Sequence, residues 1–499
     1  MKRLTNILLD IKKLESAASV LHWDQETYMP EGGGDFRADV LAYMSLMHHQ
    51  MATGQKLKDE LARHIDFQTG EFVNITLNDE EKRIVQLVAK DLKKQISLPD
   101  QFVEDMSKHA SATQQAWIKA KKNNNYSAYA PYLEKMIELK KQEADYLGYD
   151  DKPYDALLDE FEPGMTTETV KALFGDLKKR LVKLVEKISA AEQVDDSILQ
   201  QSFSTDEQWK FGIKMANAIG LDLTRARQDV SAHPFTIGFH PDDVRITTRL
   251  NDKMLLSGLF STIHEGGHAI YEQGLSKDHF GDPLGEAASF GIHESQSRLW
   301  ENQVGRSKEF WTYALPILKK HFSQLKDVKL DDWYRVINVV RPSMIRVESD
   351  EVYYSLHIML RFDIESQIIN GKVDVKDIPA LWNEKMKEYF GIMPKNDSEG
   401  VMQDVHWSFG GFGYFPSYAM GNLYGAQIME QAEKEIPNLW DNFKKGEFLP
   451  LKDWLNDKVH KHGRYYDPEK LIEVISGAPL SADPFMNYLE KKYAEIYKL

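Results

Sequence analysis

Residues 254–274 read MLLSGLFSTIHEGGHAIYEQG. The opening ten residues form an apolar run too short to span a bilayer and suited to a buried helix. The run leads into H-E-x-x-H at His264, Glu265 and His268. On a helix, positions four apart stand one turn above each other on the same face. Two imidazoles at that spacing can reach one ion with Zn–N bonds of about 2.0–2.1 Å. Glu265, beside the first imidazole, is then placed to act as a base toward a water activated by the ion. Gly266 and Gly267 each cost a helix about 1 kcal/mol relative to Ala, which predicts that something approaches the backbone closely there. The competing reading is a pair of histidines on a helix surface, and the apolar run and the two glycines weigh against it.

Outward from this stretch the pattern is mostly helical. Asn78 and Glu81 predict a capping box ahead of Ile84, Leu87, Val88 and Leu92 at helical spacing. Thr167 opens a second stretch, with Val170, Leu173, Phe174, Leu177, Leu181, Leu184 and Ile188 on one face. At the N-terminus, Leu4, Ile7, Leu8, Ile11 and Leu14 predict an amphipathic helix, and Asp10, Lys12 and Lys13 interrupt any leader-like apolar core. EGGG at 31–34 and KKNNN at 121–125 read as turns. From Val244 to Leu250 the chain switches to strand alternation, and FTIGF at 235–239 is its expected antiparallel partner. The expected fold is mainly α, with a small antiparallel sheet beside the H-E-x-x-H helix. No linker or repeat divides the chain. A boundary near residue 200, giving regions 1–200 and 201–499, rests on the chemistry lying after that point.

Composition narrows the chemistry. The chain has 499 residues, no cysteine, and 62 Lys+Arg against 77 Asp+Glu, a net charge of −15. That balance argues against a nucleic-acid partner, which requires a positive face. Without cysteine there are no disulfides, thiolate nucleophiles or Cys-type zinc sites, so any metal must be held by His and carboxylates. No run long enough for a membrane span occurs, and the expected location is the cytoplasm.

A catalytic zinc takes a third protein ligand and keeps one position open. GIHESQSRLWEN at 291–302 offers Glu294, with 25 residues between it and His268. Spacing alone leaves His293 as an alternative ligand and a salt bridge from Glu294 to Arg298 as a competing use of the carboxylate.

At this point the sequence resembles the carboxypeptidase Taq family of metallocarboxypeptidases. HPF stands at His233–Phe235, D-x-R-x-T at Asp243, Arg245 and Thr247, H-E-x-x-H at His264–His268, and H-E-S-x-Q at His293–Gln296. I-R-x-x-A-D appears as IRVESD, Ile345–Asp350, with Ser349 in place of alanine. G-x-x-Q-D-x-H-W is Gly400, Gln403, Asp404, His406 and Trp407, and HWDQETYMP at 22–30 resembles the family's N-terminal region. The resemblance implies His264, His268 and Glu294 as ligands of one divalent ion (zinc, with cobalt or manganese as alternatives) and Glu265 as general base. It also implies a helical fold around a deep groove, with region 1–200 as one wall, a homodimer, and stepwise release of C-terminal residues from peptides.

A substrate carboxylate calls for arginine, whose planar fork donates two parallel hydrogen bonds. Arg346 is the first choice and Arg245 the second; their structural alternatives are pairing with Asp350 and facing solvent. An exposed strand edge around Arg245 also suggests pairing with substrate backbone. His406 and Tyr418 are candidate donors to a developing oxyanion. His233 carries no assignable step, and His460 reads as a surface or core residue. The competing functions are a zinc endo- or oligopeptidase with the same metal chemistry, and a non-catalytic helical scaffold.

Overall fold

The computed structural model describes residues 1–499. Helix α1 (Lys2–Thr27) buries Leu4, Ile7 and Ile11 and packs along α2 (Gly34–Ala52), to which a single helical turn at Glu31–Gly33 joins it. Helix α3 (Asp79–Ser97) opens on the expected capping box. Asn78 Oδ1 accepts from the Glu81 amide at 2.9 Å, and Glu81 Oε2 accepts from the Asn78 amide at 3.0 Å. Its buried face, Ile84 to Leu92, closes a core shared with Leu4, Ile7 and Leu57. Helix α4 (Thr167–Ala190) is capped one residue earlier than Thr167, by Thr166. It buries Val170, Phe174, Leu177, Leu181, Leu184 and Ile188 and leaves Leu173 half-buried. In the KKNNN turn Asn124 takes φ of 49°, a left-handed conformation that asparagine tolerates.

The main core collects residues from Ala120 to Tyr497 and runs through residue 200 without interruption. A smaller core gathers residues from Leu4 to Leu92 together with Leu284. This core is therefore an N-terminal helical wall set against one large helical body.

The sheet is three-stranded, with β1 (Ala226–Val230), β2 (Thr236–His240) and β3 (Asp243–Thr248) in the order β1-β3-β2. The expected antiparallel pair is present, with Ile237 opposite Arg245. The added strand β1 runs parallel to β3, which makes the sheet mixed. Its sequence, ARQDV, lacks the apolar alternation that marks a strand; the backbone ladder with β3 puts it there. Because β3 is central, it has no free edge for substrate, and that role for the Arg245 strand is corrected.

Helix α5 (Leu255–Gly274) carries the H-E-x-x-H motif and is buried on most sides. After a loop, Ser289 caps α6 (Phe290–Arg298) by accepting from the Ile292 amide at 3.0 Å. A π-helical turn at Leu299–Val304 follows. Asp350 caps α7 (Glu351–Ile369), accepting from the amides of Val352 and Tyr353. Helix α8 (Phe415–Glu435) packs along α6. No helix is long and apolar enough to cross a membrane.

The two motif glycines have different structural roles. A Cβ on Gly267 would stand 2.7 Å from the Gln296 carbonyl oxygen and 2.8 Å from Ser297 Cα, so α6 lies against bare backbone there. A Cβ on Gly266 would meet nothing closer than Ile219 Cδ1 at 3.6 Å, an ordinary contact. G267A is expected to destabilise the protein by about 1–3 kcal/mol through overpacking. G266A is expected to stabilise it by about 0.4–1 kcal/mol through the lost freedom of the unfolded chain. Denaturant midpoints of the two variants check this; shifts of the same sign would refute the assignment of the close approach to Gly267.

Candidate metal centre

Helix α5 presents His264 and His268 one turn apart, and α6 brings Glu294 across to them. Glu294 Oε2 lies 3.6 Å from His264 Nε2 and 3.3 Å from His268 Nε2. One donor atom from each of the three residues lies within 4.8 Å of the others. Donors of a tetrahedral zinc with bonds of about 2.0–2.1 Å stand about 3.3–3.4 Å apart, so the set has the size and chemistry for one divalent ion. The approach of α8 helps define it: a Cβ on Gly421 would stand 2.5 Å from Glu294 Cγ. The anticipated salt bridge is present as well. Glu294 Oε1 accepts from Arg298 Nε at 2.7 Å, leaving Oε2 to face the histidines.

The histidines are held from behind. His264 Nδ1 is 2.9 Å from Glu301 Oε2, and His268 Nδ1 is 2.6 Å from His293 Nδ1. His293 Nε2 is in turn 2.7 Å from Glu272 Oε1. His293 therefore stands behind a ligand candidate instead of joining the three donors. Burial would raise the Glu294 carboxyl, but Arg298 and the two histidines outweigh it and hold the group well below the usual carboxylate range. Glu301 is likewise buried, yet His264 and Arg298 bring it down to about 2. Burial and the neighbouring His293 lower His268 to about 3, whereas around His264 the carboxylates of Glu294 and Glu301 overcome burial and raise it.

Glu265 is 6% exposed and opens on the same cavity. Burial raises its carboxyl, against the pull of His264 and of Thr236. The Thr236 hydroxyl, at the start of β2, lies 2.7 Å from Glu265 Oε2 and 3.0 Å from its carbonyl oxygen. The cavity, about 630 Å³, is walled by Phe161 from the first 200 residues, by Phe235 and Thr236, and by Tyr414 and Tyr418. A second cavity of about 630 Å³ lies among α1, α2 and α3, and Glu286 lines both.

Tyr418 is on the cavity wall and His406 stands behind it, with Nε2 3.4 Å from the Tyr418 hydroxyl. Burial raises the Tyr418 phenol well above its ordinary value, so it stays protonated. Burial and Arg346 bring His406 down to about 3, so its imidazole is neutral. Its Nδ1 is buried without a hydrogen-bond partner.

Arg346 is 6% exposed, stands behind the cavity wall and not on it, and does not pair with Asp350. Its Nε and Nη2 donate to Asp404 Oδ1 at 3.1 and 2.9 Å, and Nη1 donates to the Tyr354 hydroxyl at 2.9 Å. Arg361, fully buried, takes the other oxygen of Asp404 at 2.7 Å. Gln403 Oε1 accepts from both the Arg346 amide and Arg361 Nη2. Two guanidiniums thus share one carboxylate, and the buried group carries a net positive charge. Arg346 lies 5.0 Å from the Tyr418 ring. Ser349 adds one bond, from its hydroxyl to the Ile345 carbonyl at 3.2 Å.

Arg245 neither faces solvent nor lines the cavity. Its guanidinium lies 4.3 Å from the Trp23 ring and 4.7 Å from Phe239, and donates to both oxygens of Asp243 at 3.1 Å. It ties α1 to the sheet. His233 is exposed, and His460 is buried, with Nε2 2.9 Å from Gln296 Oε1.

Sequence reasoning missed Thr236, Glu272, Glu301 and Arg464. Glu272 was readable, since it continues the four-residue spacing of His264 and His268. Glu301, two turns beyond Glu294, was readable in the same way. Thr236 and Arg464 had no local signal. Arg464 lines the cavity but is already bound by both oxygens of Asp91 and by Glu286.

Comparison with known proteins agrees over the whole chain. Residues 3–493 match the family described as carboxypeptidase Taq (M32) metallopeptidase. Thermostable carboxypeptidase 1 of Thermus thermophilus is 39% identical, covering 97% of this chain and 96% of its own. Carboxypeptidase 1 of Bacillus subtilis is 38% identical, covering 100% and 99%. The crystal structure of the M32 carboxypeptidase from Deinococcus radiodurans superposes with a TM-score of 0.96 at 36% identity, covering 100% and 99%. The chain belongs to the carboxypeptidase Taq family of metallopeptidases and is a metallocarboxypeptidase.

Proposed function

We propose that the protein releases single residues from the C-terminus of peptides at one metal ion, zinc in the first instance, held by His264, His268 and Glu294. The observation that carries the metal reading is the 3.3–3.6 Å spacing of Glu294 Oε2 from the two Nε2 atoms. An ion bound there supplies Lewis acidity to the scissile carbonyl and lowers the pKa of a water. Glu265, oriented by the Thr236 hydroxyl, takes the water's proton and later delivers it to the leaving amine. Tyr418 donates to the oxyanion from the cavity wall, and His406 positions that phenol from behind. The substrate carboxylate is drawn by the net positive charge shared by Arg346, Arg361 and Asp404. Arg464 is the poorer choice, because Asp91 and Glu286 already outnumber it. The cytoplasmic location expected from the sequence and the homodimer that the family resemblance implies belong to the same proposal, and sedimentation reads the second directly.

E265Q is expected to retain metal, checked by elemental analysis, and to lose turnover by about 10²–10⁴-fold. Full activity in that variant would remove Glu265 from the role of base.

The endopeptidase reading differs at the substrate end. A peptide with a free C-terminus should be cleaved far faster than its C-terminal amide, with products appearing as a one-residue ladder in mass spectrometry. R346K is expected to lower kcat/KM for the free acid by about 10²-fold, mostly through KM, and to narrow the acid–amide difference. Equal rates on acid and amide in the unaltered enzyme would favour the endopeptidase.

A further inference from the structure

The two histidines of the metal centre are supported unequally. His264 leans directly on Glu301, whose charge is met by Arg298 at 3.4 Å and Arg306 at 3.3 Å. His268 leans on another histidine, and only through it on a carboxylate. Glu272 has no ion-pair partner except His293.

The distances determine where the protons sit. An imidazole that offers Nε2 to a metal carries its proton on Nδ1. The 2.6 Å between the Nδ1 atoms of His268 and His293 accommodates a single proton, which His268 donates. His293, accepting at Nδ1, then presents Nε2 to Glu272 Oε1 at 2.7 Å. One arrangement satisfies all three groups. The backbone makes room for it: a Cβ on Gly238 of β2 would stand 2.6 Å from Glu272 Oε2.

We propose that His293 and Glu272 are positioning residues of the metal centre, which hold His268 in its metal-binding tautomer and strengthen it as a ligand through the charge of Glu272. Carboxylates behind a ligating histidine raise its basicity and fix its ring, and their loss costs metal affinity. Here the effect passes through an intervening imidazole. The inference rests on the assignment of His264, His268 and Glu294 as metal ligands.

The test is zinc affinity of the full-length protein, measured by competition with a chelator, together with the visible absorption of the cobalt-substituted form. H293L removes both orientation and charge and is expected to weaken zinc about 10–100-fold and to shift the cobalt bands. E272Q keeps shape and an acceptor oxygen but not charge, and is expected to lose about tenfold. H293N keeps an acceptor near the former Nδ1 but breaks the link to Glu272, so it should match E272Q and exceed H293L. If H293L does not fold, as read by circular dichroism, E272Q and H293N decide. Wild-type affinity and wild-type cobalt bands in E272Q and H293N would overturn the inference. Failure of the unaltered protein to take up zinc, or wild-type affinity in H268A, would instead overturn the metal-site assignment on which it rests.

Discussion

The contact of α5 with α6 at Gly267 is the constraint on which the site depends. Side chains normally keep helix axes about 8–10 Å apart, and a Cβ at this point would enter the Gln296–Ser297 backbone. Removing it lets α6 settle close enough for a short glutamate side chain to reach both imidazoles. Gly421 makes the same concession from α8, against Glu294 itself. Glu294 is thus confined between two helices that approach it through glycine, and its carboxylate has little freedom left to lose when an ion binds. That is preorganisation achieved by packing.

Electrostatics complete what packing begins. A carboxylate buried at 6% exposure is costly unless it is paired. Arg298 takes one oxygen of Glu294, while the other accepts from the Ser297 hydroxyl at 3.1 Å and faces the histidines. Arg298 also faces Glu301, the group behind His264, so one guanidinium steadies both carboxylates of this side. Glu272 has no guanidinium in contact and feels Lys12 only through space, which makes the two halves of the centre electrically different despite the symmetry of their spacing. Two imidazoles one turn apart therefore have two distinct surroundings.

The parts legible in the sequence were those encoded over one or two helical turns. His264, His268 and Glu265 follow from local spacing, and the capping box at Asn78 from a four-residue pattern. Partners brought together by tertiary packing were not legible. Arg346 has an acidic neighbour four residues on, yet Asp350 caps α7 and the arginine turns to Asp404, 58 positions away. Strand β1 was invisible for a related reason, since nothing in ARQDV alternates and its place depends on β3. Arg245 looked available because a strand residue between two buried neighbours usually faces water. The rings of Trp23 and Phe239 arrive from elsewhere and cover it. The smaller core from Leu4 to Leu92 was hidden because a helix pattern does not reveal which core it joins.

For the proposed binding of a substrate carboxylate, the global charge of −15 is a difficulty that the burial of the arginine cluster would resolve. Exposed charges are screened beyond about 8 Å at physiological ionic strength, so the distant surface contributes little inside the cavity. Two guanidiniums sharing Asp404 away from water are screened far less, and their surplus positive charge persists at short range. The same surplus, with burial, keeps His406 neutral, so this histidine can support Tyr418 by hydrogen bonding without adding another cation. Burial is the main reason that the His406 imidazole and the Tyr418 phenol stay neutral, and Arg346 adds to it at His406 while working against it at Tyr418. Because Asp404 holds both arginines, it sets the size of that surplus: losing the aspartate would not strengthen the anion site but leave two buried cations repelling each other. In the proposed site an acidic residue is in this way a structural condition for binding an acidic group.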